Sequence, residues 1–234
     1  MNKGKLYLIP TILGEGTQEG TLPPSISKAI QEIDVFIVEN LRTARRHIKQ
    51  LDREKNIDAT TFYSYGKHDT LNLEQDFLPH ILSGQDVGLL SEAGLPCVAD
   101  PGSEIVAYAH DFQIDVVPFV GPSSILLALM ASGLNGQNFA FTGYLPIDKS
   151  ERTKTIRQLE KLIKKTGQTQ IFMETPYRNN QLIEALLKTC SNNTKLCIAS
   201  DITLSTENIK TQTIDEWKQT DINIHKKPAI FLIG

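Results

Sequence analysis

Residues 87–112 read VGLLSEAGLPCVADPGSEIVAYAHDF, and the fold is clearest from this stretch. VGLLS is an apolar run of strand length, and EIVAYAHDF has the apolar spacing of a helix. Between them lie small, turn-forming and acidic residues, with Ser103 placed as the helix N-cap. Ala93, Gly94, Pro96 and Ala99 carry little bulk, so the backbone can curve and a flat ligand can approach it closely. A tight strand-to-helix turn that binds nothing has the same composition, so the stretch alone leaves both readings open.

The same alternation continues on either side. Apolar runs at 6–9 (LYLI), 35–38 (VFIV), 61–64 (TFYS) and 114–119 (IDVVPF) alternate with helix-like segments near 24–33, 41–50, 73–83, 103–112 and 122–133. Strands separated by crossover helices predict a mostly parallel sheet with helices on both faces and ligands at the carboxyl ends of the strands. A second stretch, VVPFVGPSSILLALMASGL, runs from a strand through Gly121-Pro122-Ser123-Ser124 into a helix, which sets hydroxyls and free N–H groups at a helix start. Capping alone also accounts for a serine there.

After about residue 138 the rhythm changes. FAFTGYLP, a charged helix over 149–165, IFME, a helix near 177–189, KLCIAS, ENIKTQT and AIFLIG predict a mixed-sheet α+β domain with few long helices. GLNG at 133–136 reads as the hinge, giving an N-terminal α/β domain over 1–134 and a C-terminal mixed domain over 135–234.

Composition narrows the function. Hydrophobic and charged contents of 40% and 22% describe a soluble globular chain. A net charge of −3 gives no overall attraction for a polyanion, so any phosphate-holding patch must be local. Arg42, Arg45, Arg46, His47 and Lys49 cluster on one predicted helix, and Lys149, Arg152, Lys154, Arg157, Lys161, Lys164 and Lys165 load another. Either cluster is also what a solvated helix face looks like. Three cysteines without CxxC spacing suggest neither a disulfide framework nor a zinc site, and the histidines at 47, 68, 80, 110 and 225 lack metal-ligand spacing, so no metal is expected. No phosphate loop, G-x-G-x-x-G or G-x-S-x-G motif occurs. The run LYLIPTIL is too short to span a membrane and contains a proline, which predicts a cytoplasmic protein with no membrane partner.

Four motifs in order carry a resemblance. Ser91 to Gly102 is similar to a Ser-Asp-Ala-Gly-x-Pro-x-x-Ser-Asp-Pro-Gly loop, with Glu92 for Asp and Ala99 for Ser. The Gly-Pro-Ser-Ser helix start and its Ala-Leu-x-x-Ser-Gly-Leu continuation stand at 121–134, Phe141-Thr142-Gly143-Tyr144-Leu145-Pro146 follows, and Phe172-Met173-Glu174-Thr175-Pro176-Tyr177-Arg178 is the fourth. Together they resemble the tetrapyrrole-methylase-like class of S-adenosylmethionine-dependent methyltransferases, and within it the branch that 2′-O-methylates a cytidine ribose in small-subunit ribosomal RNA. The chain departs from that branch at Ile9-Pro10-Thr11-Ile12-Leu13-Gly14, at Val38-Glu39-Asn40-Leu41-Arg42, at Tyr65-Gly66-Lys67-His68-Asp69 and at Ala199-Ser200-Asp201-Ile202-Thr203. The donor side is kept better than the acceptor side, and the expectation from the length is a two-domain core without an added C-terminal domain.

The resemblance implies S-adenosylmethionine in the cleft between two α/β domains, a homodimer, and ribosomal RNA or the small ribosomal subunit as partner. The implied donor contacts are Pro10, Thr11, Ser91, Glu92, Ala93, Gly94, Pro96, Val98, Ala99, Ser123, Ser124, Met173 and Ala229. A ribose hydroxyl must lose its proton as the new bond forms, and Glu39, Asp100 and Glu174, at strand ends or in the loops after them, are the candidate catalytic groups. Carboxylates so placed also cap helices or pair with arginines. Arg42, Arg45 and Arg178 are the candidate substrate contacts. Two other readings stay open: a methylase of a tetrapyrrole or another small molecule, and a donor-binding protein with a degenerate acceptor site.

Overall fold

The computed structural model describes residues 3–66 and 71–234, so Lys67, His68 and Asp69 of the 65–69 loop lie outside the described residues. The chain divides into two compact units, Met1–Ser123 and Ser124–Gly234.

In the first unit the apolar runs form β1 (Leu6–Ile9), β2 (Val35–Val38), β3 (Thr61–Ser64), β4 (Val87–Leu90) and β5 (Val116–Pro118). All pair in parallel, in the order β3-β2-β4-β1-β5. Side chains alternate between the two faces of each strand, so Val35 and Ile37 enter one core layer with Phe77, Ile81 and Ile105, while Phe36 and Val38 enter the other with Ile26, Ile30 and Ile48. The covering helices include α1 (Gln18–Thr21), α2 (Pro24–Glu32), α3 (Leu41–Leu51) and α5 (Ser103–Asp111).

Two local expectations are corrected. The helix read over 73–83 is a wide π-type turn, Leu73–Phe77, continued by α4 (Leu78–Leu82). Pro79 explains the change, because its ring cannot donate an N–H and crowds the carbonyl four residues earlier. Ser103 is the first helical residue of α5 and not its cap; Gly102 holds the cap position at φ 121°, a conformation closed to side-chain-bearing residues.

The second unit contains α6 (Ser124–Ser132), β6 (Phe139–Tyr144), α7 (Lys149–Thr166), β7 (Thr169–Met173), α8 (Asn179–Thr189), β8 (Lys195–Ser200), β9 (Asn208–Thr213), α9 (Ile214–Trp217) and β10 (Ala229–Ile233). Its sheet runs β6-β7-β10-β8-β9, with β6 parallel to β7 and every other pair antiparallel. The fold is therefore two α/β units, one parallel and one mixed. α6, read from the sequence as closing the first domain, belongs to the second: it packs on β9 and β10, and Thr211 donates its hydroxyl to the Ser132 carbonyl at 2.7 Å.

Candidate active site

Three loops leave the carboxyl edge of β4, β1 and β5, which are neighbours in the sheet, and they interlock. The Thr11 N–H and the Ser91 hydroxyl both donate to the Gly94 carbonyl, at 2.9 and 2.6 Å, and the two hydroxyl oxygens are 3.3 Å apart. Gly121 approaches so closely that a Cβ there would stand 2.2 Å from Cβ of Pro10. Thr11, Ser91, Pro96 and Ser123 are buried, whereas Glu92, Ala93, Val98 and Ala99 remain exposed. Cys97 and Ala99 hold φ values of 65° and 61°, backbone strain that persists only where the surroundings enforce it and that gathers at functional sites. The outcome is a rigid, low-bulk surface at a sheet edge, with the shape a flat ligand needs.

Beside this surface lies a cavity of about 170 Å³, walled by α3 and the loops after β1 and β4. Asn40 caps α3 by accepting from the N–H groups of Arg42 and Thr43, which fixes the first turn. Thr43 then donates to Glu92 at 2.6 Å, and Arg46 pairs with Glu15 at 2.5 Å on the rim. His47 lines the cavity from the inner face of α3, where Ala44 and Ile48 are also buried. Only 7% of His47 is exposed, its Nε2 finds no hydrogen-bond partner among the described residues, and burial lowers its pKa to about 4. The ring is therefore neutral near pH 7.

A group of carboxylates adjoins the cavity. Val38 pairs with Leu90, so Glu39 and Ser91 leave adjacent strands side by side. Burial first, and then the negative charges of Asp100 and Glu92, push the Glu39 carboxyl up to about 7. Burial and Glu92 raise Asp100 to about 6, and Asp100 Oδ2 is buried without a hydrogen-bond partner among the described residues. Among the described residues no cluster has the composition of a metal site.

A family model described as tetrapyrrole (corrin/porphyrin) methylases matches residues 18–218. The chain belongs to the tetrapyrrole methylase family. It is a methyltransferase that depends on S-adenosylmethionine. Among curated relatives, proteins named ribosomal RNA small subunit methyltransferase I are similar. That of Vibrio cholerae is 29% identical over 97% of this chain and 76% of its own length. That of Bacillus subtilis is 30% identical over 93% and 71%. The Mesorhizobium japonicum protein is 33% identical over 89% and 67%. The crystal structure of the methyltransferase CobJ superposes with a TM-score of 0.63 at 15% identity, covering 99% of this chain and 94% of CobJ, which speaks for the fold.

The remaining candidate residues of the methylase divide by environment. Glu174 follows β7 with its side chain wholly buried; its Oε1 accepts from the Thr175 N–H at 2.6 Å and from Arg178 Nη2 and Nε at 2.6 and 3.0 Å. Glu174 and Arg178 are thus committed to each other. Met173 ends β7 and Ala229 begins β10, at the same end of that sheet, since Met173 pairs with Ile230. Arg42 is exposed in the first turn of α3, and the Arg45 guanidinium lies 5.2 Å over the Phe62 ring.

Two members of the basic clusters leave the surface: His47 is buried and neutral, and Arg152 is only 5% exposed. Sequence reasoning missed His47, Thr43 and Gln50 as cavity residues. A signal existed, because Ala44, His47, Ile48 and Leu51 recur at i, i+3, i+4 and i+7 on one helix face.

Proposed function

We propose that the protein transfers the methyl group of S-adenosylmethionine to a ribose 2′-hydroxyl of small-subunit ribosomal RNA, with Glu39 as general base. The observation that carries this reading is the Glu39 carboxyl, poised near pH 7 at the end of β2 beside Asp100 and Glu92. A base works best when its pKa lies near the working pH, and a hydroxyl acceptor needs one where an amine does not. The sulfonium donor brings its own activation, so the chain has to orient it, keep water out and take one proton. The exposed, small Ala93 and Ala99, with Glu92 and Val98 beside them, suit donor binding, and the Thr11 N–H and Ser91 hydroxyl fix the loop through Gly94; Ser123 and Ser124 are the further proposed contacts. As the acceptor oxygen bonds to the methyl carbon, the carbon–sulfur pair leaves with sulfur and the hydroxyl proton passes to Glu39. Asp100, held at about 6, shares the charge and raises the basicity of Glu39.

The relatives' shared name supports ribosomal RNA as the acceptor, and Arg42, exposed at the start of α3, is the proposed phosphate contact. A cytoplasmic homodimer completes the proposal. The cysteines are free thiols, as in a reducing compartment, and α6 turns Leu126 and Met130, 51% and 77% exposed, to its outer face. Incubation with labelled S-adenosylmethionine and unmethylated small ribosomal subunits or naked ribosomal RNA, followed by mapping of the label, tests the reading. Label at one ribose is expected; transfer to no RNA contradicts it.

A further inference from the structure

We infer that the cavity between α3 and the loops after β1 and β4 receives the base of the acceptor nucleotide, and that His47 reads the hydrogen-bonding edge of that base. The inference deepens the proposed RNA methylation and rests on it.

Position comes first. Thr11, Ser91, Glu92 and Ala93 belong both to the candidate donor wall and to the cavity lining. Acceptor oxygen and methyl carbon must come within about 3 Å before reaction, so the acceptor nucleotide has to stand against the same residues. Glu92 ties the cavity to the base, since its charge acts on both Glu39 and Asp100.

Size and chemistry then select the group. At about 30 Å³ per water, 170 Å³ holds roughly six waters, the room of one small planar ring. Ile12, Leu13, Ala44 and Ala93 supply apolar walls, while His47 and Gln50 supply polar edges. Gln50 accepts from Gln18 at 3.1 Å, which leaves its N–H2 group to donate. A neutral imidazole offers one N–H and one lone pair, and Nε2 of this buried ring has no hydrogen-bond partner among the described residues, where buried polar atoms almost always have one. Enzymes that act on nucleotides commonly swing the target out of its stack and hold the base by its pairing edge in a snug pocket. The two carboxylates near the cavity and the Arg46–Glu15 pair on its rim make it unsuited to a bare phosphate.

The test uses the full-length protein, S-adenosylmethionine, and an RNA oligonucleotide spanning the mapped nucleotide, alongside the same oligonucleotide made abasic at that position, which keeps the 2′-hydroxyl. His47→Leu, sized for a buried slot, and His47→Gln, which keeps a hydrogen-bonding head, are compared with wild type. Affinity for S-adenosylhomocysteine, read by calorimetry, reports whether each variant is folded and binds donor. On normal RNA, His47→Leu should lower kcat/KM about tenfold, the loss of one buried hydrogen bond, with much of it restored in His47→Gln. On abasic RNA wild type should be at least as slow as His47→Leu is on normal RNA, and there the substitution should make no further difference. An equal loss on both RNAs, or none on the normal one, overturns the base pocket while leaving RNA methylation standing. Failure of wild type to methylate any RNA overturns both.

Discussion

Thr43 on α3 donates its hydroxyl to Glu92 in the loop after β4 at 2.6 Å, joining the helix that walls the cavity to the loop proposed to carry the donor. The bond holds a carboxylate whose charge raises both Glu39 and Asp100. Thr43→Val keeps the shape and deletes the donor. It should cost about 1 kcal/mol or less of stability, raise the acceptor KM several-fold, and leave S-adenosylhomocysteine affinity unchanged by calorimetry. Equal losses in donor and acceptor binding would mean that the loop has simply become mobile.

Gly121 sits where no side chain fits, its missing Cβ 2.2 Å from Cβ of Pro10. Gly121→Ala should force the loops after β1 and β5 apart and destabilise the protein by about 2 kcal/mol or more in urea denaturation, with donor affinity falling in parallel. Gly20→Ala is the control: nothing lies within 4 Å of the added methyl, and Gly20 is in α1, so stability should hold or rise slightly.

His47 makes the fold sensitive to acid. Its pKa falls from 6.5 to about 4 on folding, so between those values the unfolded chain binds more protons than the folded one. Stability should therefore be intact above about pH 6.5 and decline as the pH drops toward 4, by about 3 kcal/mol at the acid end. His47→Gln should show a shallower decline over that interval, measured as unfolding midpoints against pH. Parallel curves for the two proteins would place the acid sensitivity elsewhere.

Arg178 and Arg42 should behave differently. Arg178→Ala leaves the buried Glu174 carboxylate without its ion partner and should lower the unfolding midpoint clearly. Arg42→Ala removes an exposed side chain and should leave the midpoint unchanged while weakening RNA binding and its salt dependence. RNA affinity lost only in Arg178→Ala, at full stability, would move the phosphate contact to the second unit.

The strands were legible because each is a short β-branched or aromatic run, and LYLI, VFIV, TFYS and KLCIAS begin and end where the sequence places them. The membership of α6 was not: ILLALMA is apolar all round, so no stripe shows which sheet it packs on, and β9 and β10 claim it. The small-residue loop and the strand-end carboxylates were visible as motifs. Their ranking was not, because Glu39 and Glu174 differ only in what surrounds them: one feels Asp100 and Glu92, the other is held by Arg178. His47 was hidden among Arg45, Arg46 and Lys49, where a neutral buried ring reads as one more surface cation.

The role of Glu39 is tested most directly by the pH dependence of single-turnover methyl transfer to RNA at saturating donor. A base with a pKa of about 7 must be ionised to act, so the wild-type rate should rise about tenfold per pH unit below 7 and level off above it. Glu39→Gln should bind donor normally, react much more slowly and lose the inflection. A wild-type rate independent of pH between 6 and 8, or a Glu39→Gln enzyme with the wild-type profile, would contradict Glu39 as the base.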